Sequence, residues 1–579
     1  MAEQNDLDTS FMRSLCFGVI EEDLIFPFPK MKQEERETLK QLQDSFSTWL
    51  KGREAEFKEW DAKGEMPSAF LQEMREFGMF SLVIPEEHGG LGFSSTAYSR
   101  VLQELVRYDS SIALTAGAHS SIGMRGLLLF GSDAQKQKYL PKLVTGEMIA
   151  AFCLTEPGAG SDAAALKTKA VKDGDGWILN GEKIWITNGG IADFFTVFAK
   201  TDDQKAGQIT AFIVTRDMKG VSSSPHEDKL GIRASSTTSV RFDNVRLGKE
   251  HQLGEYGKGF KVAMSILNAG RTGLGGGCIG GMKHAIMLST KQAKERKQFG
   301  KPIAEFGLIK QKIGHMVVEC YATEALVSMV AGLVDRGYKD YAVEAAISKV
   351  FASECLWRTC DEALQIAAGM GYMKEAPYEK MLRDARINRI FEGTNEILRL
   401  FIALTAMNDV GHELKEVAKS LGNVLADPIK GFGVLSDYAK RSFSHTTGIG
   451  KAVVTKAHPD LKEYCAVFEE GTRQLAQAVD RILRKHGKAI VDKQFATRRL
   501  GDIMIDLFAL AAVISRVSTA LAEKSKTADK EVEILAVFAG QVGRRVRGNF
   551  NKIDDNDDEY IKSLADHALA EEKFVWDNL

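Results

Sequence analysis

A mainly helical chain with a small β domain in its middle is the fold class the sequence predicts, and three observations predict it. Proline is scarce at 11 residues while glycine is plentiful at 53, a balance that suits long helices joined by glycine-rich turns. Apolar residues recur every three or four positions up to about residue 150 and again from about 259. Between these stretches, β-branched and aromatic residues gather in short runs. The predicted order is an N-terminal helical domain with an extended arm over 1–150, a β domain over 151–258, a helical bundle over 259–410 and a further helical region over 411–579.

Taken in order, Leu39, Leu42, Phe46 and Leu50 mark one helical core face, and Val101, Leu102, Leu105 and Val106 mark another. Pro85 and the glycines of Glu87-His88-Gly89-Gly90-Leu91-Gly92 place a loop between them. Trp177 to Leu179, then Asn180-Gly181, then Glu182 to Ile186 predicts a β-hairpin, because Asn-Gly supplies the positive φ angles of a tight turn. Phe194–Phe198, Ile209–Val214 and Ser239–Phe242 complete the β domain. Helical periodicity returns through Ile286–Ala293, Ile309–Met329 and Ala342–Ala367. The stretch 428–458 is glycine-rich and basic. Its Ile429, Phe432, Leu435 and Tyr438 recur every three residues, a pattern that fits an interfacial helix and a solvated loop equally. The acidic run Asp554 to Glu559 reads as a solvated turn.

Composition narrows the function. With 76 Lys and Arg against 78 Asp and Glu, the net charge of -2 provides no field for holding nucleic acid. Apolar residues at 44% and charged residues at 27% are those of an ordinary globular protein. Seven scattered cysteines form no CxxC pair, so neither a disulfide framework nor a metal site is indicated. The first thirty residues carry six acids against Arg13 and Lys30, which is not a transit or signal pattern. The best uninterrupted apolar run, Leu507 to Ile514, is far shorter than the ~20 residues a bilayer needs. A cytoplasmic location is expected, with 428–458 as a candidate peripheral contact on the inner face of the cell membrane.

Three segments carry chemistry. In Phe152 to Asp162 a strand-like entry runs into small residues and hydroxyls whose N–H groups suit an anion or a flat ring. In Gln365 to Tyr372, followed by Lys380 and Asp384, glycines permit close approach. In Arg389 to Arg399, Glu392 sits in an apolar Ile-Phe surround beside Gly393, as a base tuned by burial requires. Gly275 to Gly280 also matches GxGxxG, but no strand precedes it and its flanks are helical, so its glycines are read as helix-packing positions.

In this order and on this background, the three segments resemble the acyl-CoA dehydrogenase family. The first two follow its signature patterns almost position by position, except for Ala368 where glycine is common. Phe26 to Pro29, Leu230 to Arg233, Ile266 to Asn268, Glu305 to Ile309 and Phe391 to Leu400 resemble the very-long-chain subfamily, which includes a complex I assembly-factor relative. The C-terminal extension is that subfamily's hallmark. The resemblance implies a helical domain, a β-barrel-like domain and a four-helix-bundle domain, followed by a C-terminal helical domain. It implies FAD as cofactor and α,β-dehydrogenation of long-chain acyl-CoA to trans-2-enoyl-CoA. It also implies a homodimer and electron-transfer flavoprotein as acceptor. An acyl-CoA oxidase and a scaffold or assembly protein of the same fold are the alternatives.

By the same resemblance Glu392 is the catalytic base. The rival position used by some members, immediately before Arg271, is Gly270 and carries no carboxylate. Flavin contacts fall to Phe152, Leu154, Thr155, Gly160, Ser161, Trp185, Ile186 and Thr187, to Thr394, Asn395 and Glu396, and across the dimer interface to Arg296, Gln298, Phe299, Gln365, Ile366 and Gly369. Substrate contacts fall to Ser161, Asn268, Arg271, Phe391 and Gly393. Gly123 and Gly126 stand where shorter-chain relatives carry polar side chains, which predicts a deeper channel for an apolar tail at about 0.8 kcal/mol per buried methylene.

Overall fold

The computed structural model describes residues 10–202, 208–423 and 452–577. The described residues divide into two compact units, one within 29–397, the other within 10–28 and 398–577. The N-terminal arm therefore does not stay with the first helical domain as expected. Its Phe11 stacks on Phe468 and tilts against Phe508, and Ser515 donates a hydrogen bond to the Ile25 carbonyl. The arm's apolar residues are buried among the C-terminal helices.

In the first unit the elements that position the site are helix α1 (Ser95–Val106), strands β1 (Ala150–Cys153), β2 (Lys169–Asp173), β3 (Gly176–Thr187), β4 (Phe194–Asp202), β5 (Gln208–Thr215), β6 (Val221–Ser223), β7 (Thr237–Leu247) and β8 (Gln252–Leu253), and helices α2 (Gly259–Glu295), α3 (Gly307–Asp335) and α4 (Ala342–Ala367). The strands run β6-β7-β3-β2-β4-β5-β8, with β1 paired in parallel to β4. Among the described residues no ladder joins the end strands, so the sheet is open rather than a barrel. Its two faces follow the two-residue period of a strand. Phe194 and Phe198 join a core with Leu127, Tyr139, Leu140, Val262 and Ile266, while Phe195, Val197 and Ala199 join another with Trp177, Leu179, Phe212 and Val240.

Asn180-Gly181 is not the hairpin turn. Strand β3 runs straight through it, with Asn180 paired to Lys169 of β2 and Gly181 to Phe242 of β7. A register shift lies between Leu179 and Gly181, so the two residues form a bulge. Glycine is required there because φ is +152° and a Cβ would lie 2.4 Å from Thr168 Oγ1. The reversal falls one step earlier, at Gly174-Asp175, where Asp173 pairs with Gly176. Pairing on both sides of β3 outweighs the local turn preference of Asn-Gly.

Helices α2, α3 and α4 pack on one another, and α2 also packs on α1. The discarded GxGxxG glycines serve that last contact: a Cβ on Gly276 would lie 2.6 Å from the Ser99 carbonyl oxygen, and one on Gly280 2.1 Å from that of Gln103. The fourth helix of the expected bundle, α5 (Asn395–Asn423), groups with the second unit from Leu398 onward.

In the second unit the helices Lys462–His486, Gln494–Ala522 and Ala528–Asp554 pack together. Among the described residues two helices, α3 and Gln494–Ala522, are long and apolar enough to cross a membrane, but 67% and 83% of their most apolar windows are already buried in protein. They are core helices of their units. The acidic turn near 556 is not wholly solvated, since Asp558 takes a two-pronged hydrogen bond from Arg499 at 2.5 and 2.7 Å. All seven cysteines are buried and unbridged. Most of 428–458, with its interfacial-helix reading, lies outside the described residues.

Candidate active site

The turn that carries Glu392 joins a 3₁₀ turn at Ile387–Arg389 to α5, which begins at Asn395. Its backbone is left-handed at two successive residues, with φ of +59° at Glu392 and +92° at Gly393. A glutamate in that region costs about 1–3 kcal/mol, so surrounding contacts must hold it. Three do so. The Arg271 Nε donates to the Glu392 carbonyl at 3.3 Å, while its Nη1 donates to Asn268 Oδ1 at 2.9 Å. Lys349 Nζ donates to the Gly393 carbonyl at 2.7 Å and to Asn395 Oδ1 at 2.8 Å. Thr394 Oγ1 accepts the Ile397 N–H at 3.3 Å, capping α5.

The Glu392 carboxyl group rests over Gly270. A Cβ there would lie 2.7 Å from each carboxyl oxygen and 2.7 Å from Ile122 Cγ2. Oε2 is buried without a hydrogen-bond partner. Burial pushes this carboxyl up to about 7, with the charges of Arg271 and Lys349 pulling the other way. An orphaned acid of this kind, poised near neutrality, is equipped to take a proton.

The segment Phe152 to Asp162, expected to meet the flavin, is anchored from below. The Ile184 N–H donates to the Thr155 carbonyl at 3.0 Å, joining the exit of β1 to β3. Lys183, fully buried, donates to the Leu154 carbonyl at 3.1 Å and to Glu156 Oε1 at 2.7 Å. Above this support Gly160, Ser161 and Trp185 are exposed, and Cβ atoms at Gly158 and Gly160 would meet nothing. An open floor of small residues beside an exposed edge of β3 fits a flat ring system. A π-helical turn, Ala118–Gly123, links floor and base: Gly123 packs on Ala150 of β1, and Ile122 on Gly270 beneath Glu392.

Other expected site residues divide into several groups. Phe391 and Gly393 flank Glu392 within its turn, and Arg271, bonded to Asn268, reaches its carbonyl. With Arg271 only 5% exposed and engaged by Asn268 and the Glu392 carbonyl, its visible contacts are those of a support for the base. Phe152 and Thr187 are half-buried beside the floor. The side chains of Leu154, Ile186 and Ile366 are buried in their own cores. Asn395 requires correction as a cofactor contact, because it is fully buried and its amide binds Lys349, Ser353 and Glu354. Glu396 is exposed. Arg296, Gln298 and Phe299 form an exposed ribbon, with Phe299 93% exposed. Gln365 and Gly369 are exposed at the end of α4. Neither of these last two groups is drawn to the base by contacts within this chain.

The channel expected beside Gly123 and Gly126 is not what their neighbours form. A Cβ on Gly123 would lie 2.7 Å from the Ala150 carbonyl carbon, and one on Gly126 3.0 Å from the tips of Ile266 and Leu253. Close packing is what these glycines provide. Lys349 was missed by sequence reasoning, although a lone lysine inside Ala345-Ala346-Ile347-Ser348-Lys349-Val350-Phe351-Ala352 was the available signal.

An acid over a helix glycine and, joined to it through one helical turn, an open floor of small residues fit a flavin-dependent dehydrogenase of activated acyl groups, and comparison with known proteins agrees. Family profiles for the acyl-CoA dehydrogenase N-terminal, middle and C-terminal domains match residues 36–147, 151–245 and 257–407. The chain belongs to the acyl-CoA dehydrogenase family, whose members are FAD-dependent oxidoreductases. Within it, the profile described as "ACAD9/ACADV, C-terminal domain" matches 459–574. The human very long-chain specific acyl-CoA dehydrogenase, a mitochondrial protein, is 43% identical over 549 residues, 93% of this chain and 83% of the relative. An acyl-CoA dehydrogenase from Bacillus anthracis, solved in complex with FAD, superposes with a TM-score of 0.79 at 32% identity, covering 95% of this chain and 94% of that one. A structure described as the electron transferring flavoprotein of Acidaminococcus fermentans has a TM-score of 0.62 at 35% identity, covering 65% of this chain and 99% of that one.

Proposed function

We propose that this chain dehydrogenates long-chain acyl-CoA thioesters between the α and β carbons and passes the electrons to electron-transfer flavoprotein. The observation that carries the reading is the half-buried Glu392, whose Oε2 is buried without a hydrogen-bond partner and whose carboxyl is raised to about 7 over Gly270. Its carboxylate takes the α proton, which is weakly acidic in water. The Glu392 backbone N–H is the chain's own donor to the thioester oxygen, where negative charge builds as the proton leaves. Residues 152–161 and 185–187 hold FAD, with Lys183 and Glu156 fixing the floor. Bound there, FAD supplies the acceptor for the β hydride.

The long-chain assignment rests on the names of the relatives and on the C-terminal unit shared with them, not on Gly123 or Gly126. A bleaching titration of the flavin spectrum across acyl lengths tests it. Palmitoyl-CoA should bleach the flavin fully and bind more tightly than octanoyl-CoA, and the reverse order would overturn the assignment.

A homodimer fits the exposed apolar residues Phe299, Leu308, Met370 and Tyr372, which a second copy would cover. We place the protein in the cytoplasm, touching the membrane through 428–458. Deleting that segment should release the protein from anionic vesicles in a flotation assay; unchanged flotation would remove the contact.

A further inference from the structure

We propose that Lys349 is the positioning residue of the catalytic turn: from beneath, its ammonium group fixes the left-handed Glu392-Gly393 backbone and so holds the Glu392 carboxyl group in place beside a positive charge. The inference deepens the assignment of Glu392 as the base and rests on it. Lys349 is fully buried in α4, where an amine needs acceptors. It donates to the end of the turn: to the Gly393 carbonyl, one residue after Glu392, at 2.7 Å, and to Asn395 Oδ1, at the first position of α5, at 2.8 Å. Asn395 is itself held by Ser353 and Glu354, with Nδ2 donating to each at 3.0 Å. Lysine, asparagine and serine thus tie the strained turn to the rigid helix α4.

The electrostatics agree with the geometry. Glu392 faces Arg271 of α2 and Lys349 of α4, and its charge reaches the Tyr98 hydroxyl of α1. Lys349 in turn faces Glu392, Glu354 of its own helix, and Cys278 and Arg271 of α2. Burial brings the Lys349 amine down to about 7, the range reached by Glu392 from below. The Lys349 charge favours the ionised form of Glu392, so removing it should raise the affinity of Glu392 for its proton.

The test uses FAD-loaded Lys349→Met and Lys349→Gln, with Glu392→Gln as reference. Infrared pH titration of the buried carboxyl, identified by its loss in Glu392→Gln, reads the proton without turnover. Both lysine variants should move its midpoint upward by about one pH unit. The acid limb of the kcat profile should move with it. Lys349→Met, which donates no hydrogen bond, should also lower kcat by about 100-fold with KM little changed, as a displaced base requires. Lys349→Gln keeps a donor and should lose less, and it carries the test should the methionine protein not fold. An unmoved midpoint, or a fall in thermal stability with kcat and its pH profile intact, overturns the proposal and leaves Lys349 a packing residue. Full activity in Glu392→Gln would instead overturn the base assignment itself.

Discussion

Glu392→Gln is expected to keep its yellow FAD and lose turnover by about 10³-fold, within the range that general acid-base groups contribute. The amide matches the carboxyl in shape, so the turn and its contacts with Arg271 and Lys349 should persist, since both lysine and arginine bind backbone or Asn atoms there rather than the Glu392 side chain. What is lost is the site for the α proton. Stability gives an independent check. The carboxyl is raised from its ordinary 4.5 to about 7, so the fold favours the protonated form. The stability this gives is full below 4.5 and is lost as pH rises through 7. Glu392→Gln removes that dependence, and its melting temperature should therefore gain on the wild type at pH 8 relative to pH 5. A variant that turns over normally, or one that falls behind the wild type at alkaline pH, would contradict the assignment.

Gly270→Ala should inactivate the enzyme while leaving it folded. The new methyl group would stand 2.7 Å from both Glu392 oxygens and from Ile122 Cγ2, too close for any of them to stay. The most mobile group there is the carboxyl, so the base moves. A displacement of about 1 Å costs about 100-fold in rate. Alanine is the better helix former by about 1 kcal/mol, so melting should change little. A stopped-flow measurement of flavin reduction beside a thermal melt separates the effects. Normal reduction would mean that Glu392 does not occupy this space in the working enzyme. The same geometry explains why a base from α2 and a base from the 392 turn exclude each other: they compete for one volume.

Much of this was legible in the sequence. Helix-sheet-helix order follows from hydrophobic period, which local chemistry imposes on a chain wherever one face is buried. Glu392 was legible as a candidate base because the third segment, Arg389 to Arg399, resembles the family's motif. Asn395 was misread because the family resemblance carried it over as a cofactor contact, whereas it lies at the start of α5 with its amide turned to α4. Asn180-Gly181 was misread because a dipeptide reports its local turn preference but not the strands on either side that override it.

By itself the sequence determined the periods, the helix-sheet-helix order, the family and the acid proposed as base, since each is written in residues close along the chain. Only the tertiary structure decided that residues 10–28 join the C-terminal helices and that Gly123 and Gly126 are packing positions. It also placed the carboxyl over Gly270 with Lys349 under the next turn. Those are contacts between residues some tens to hundreds of positions apart, and their energies arise from burial and close packing that no short stretch of chain can report.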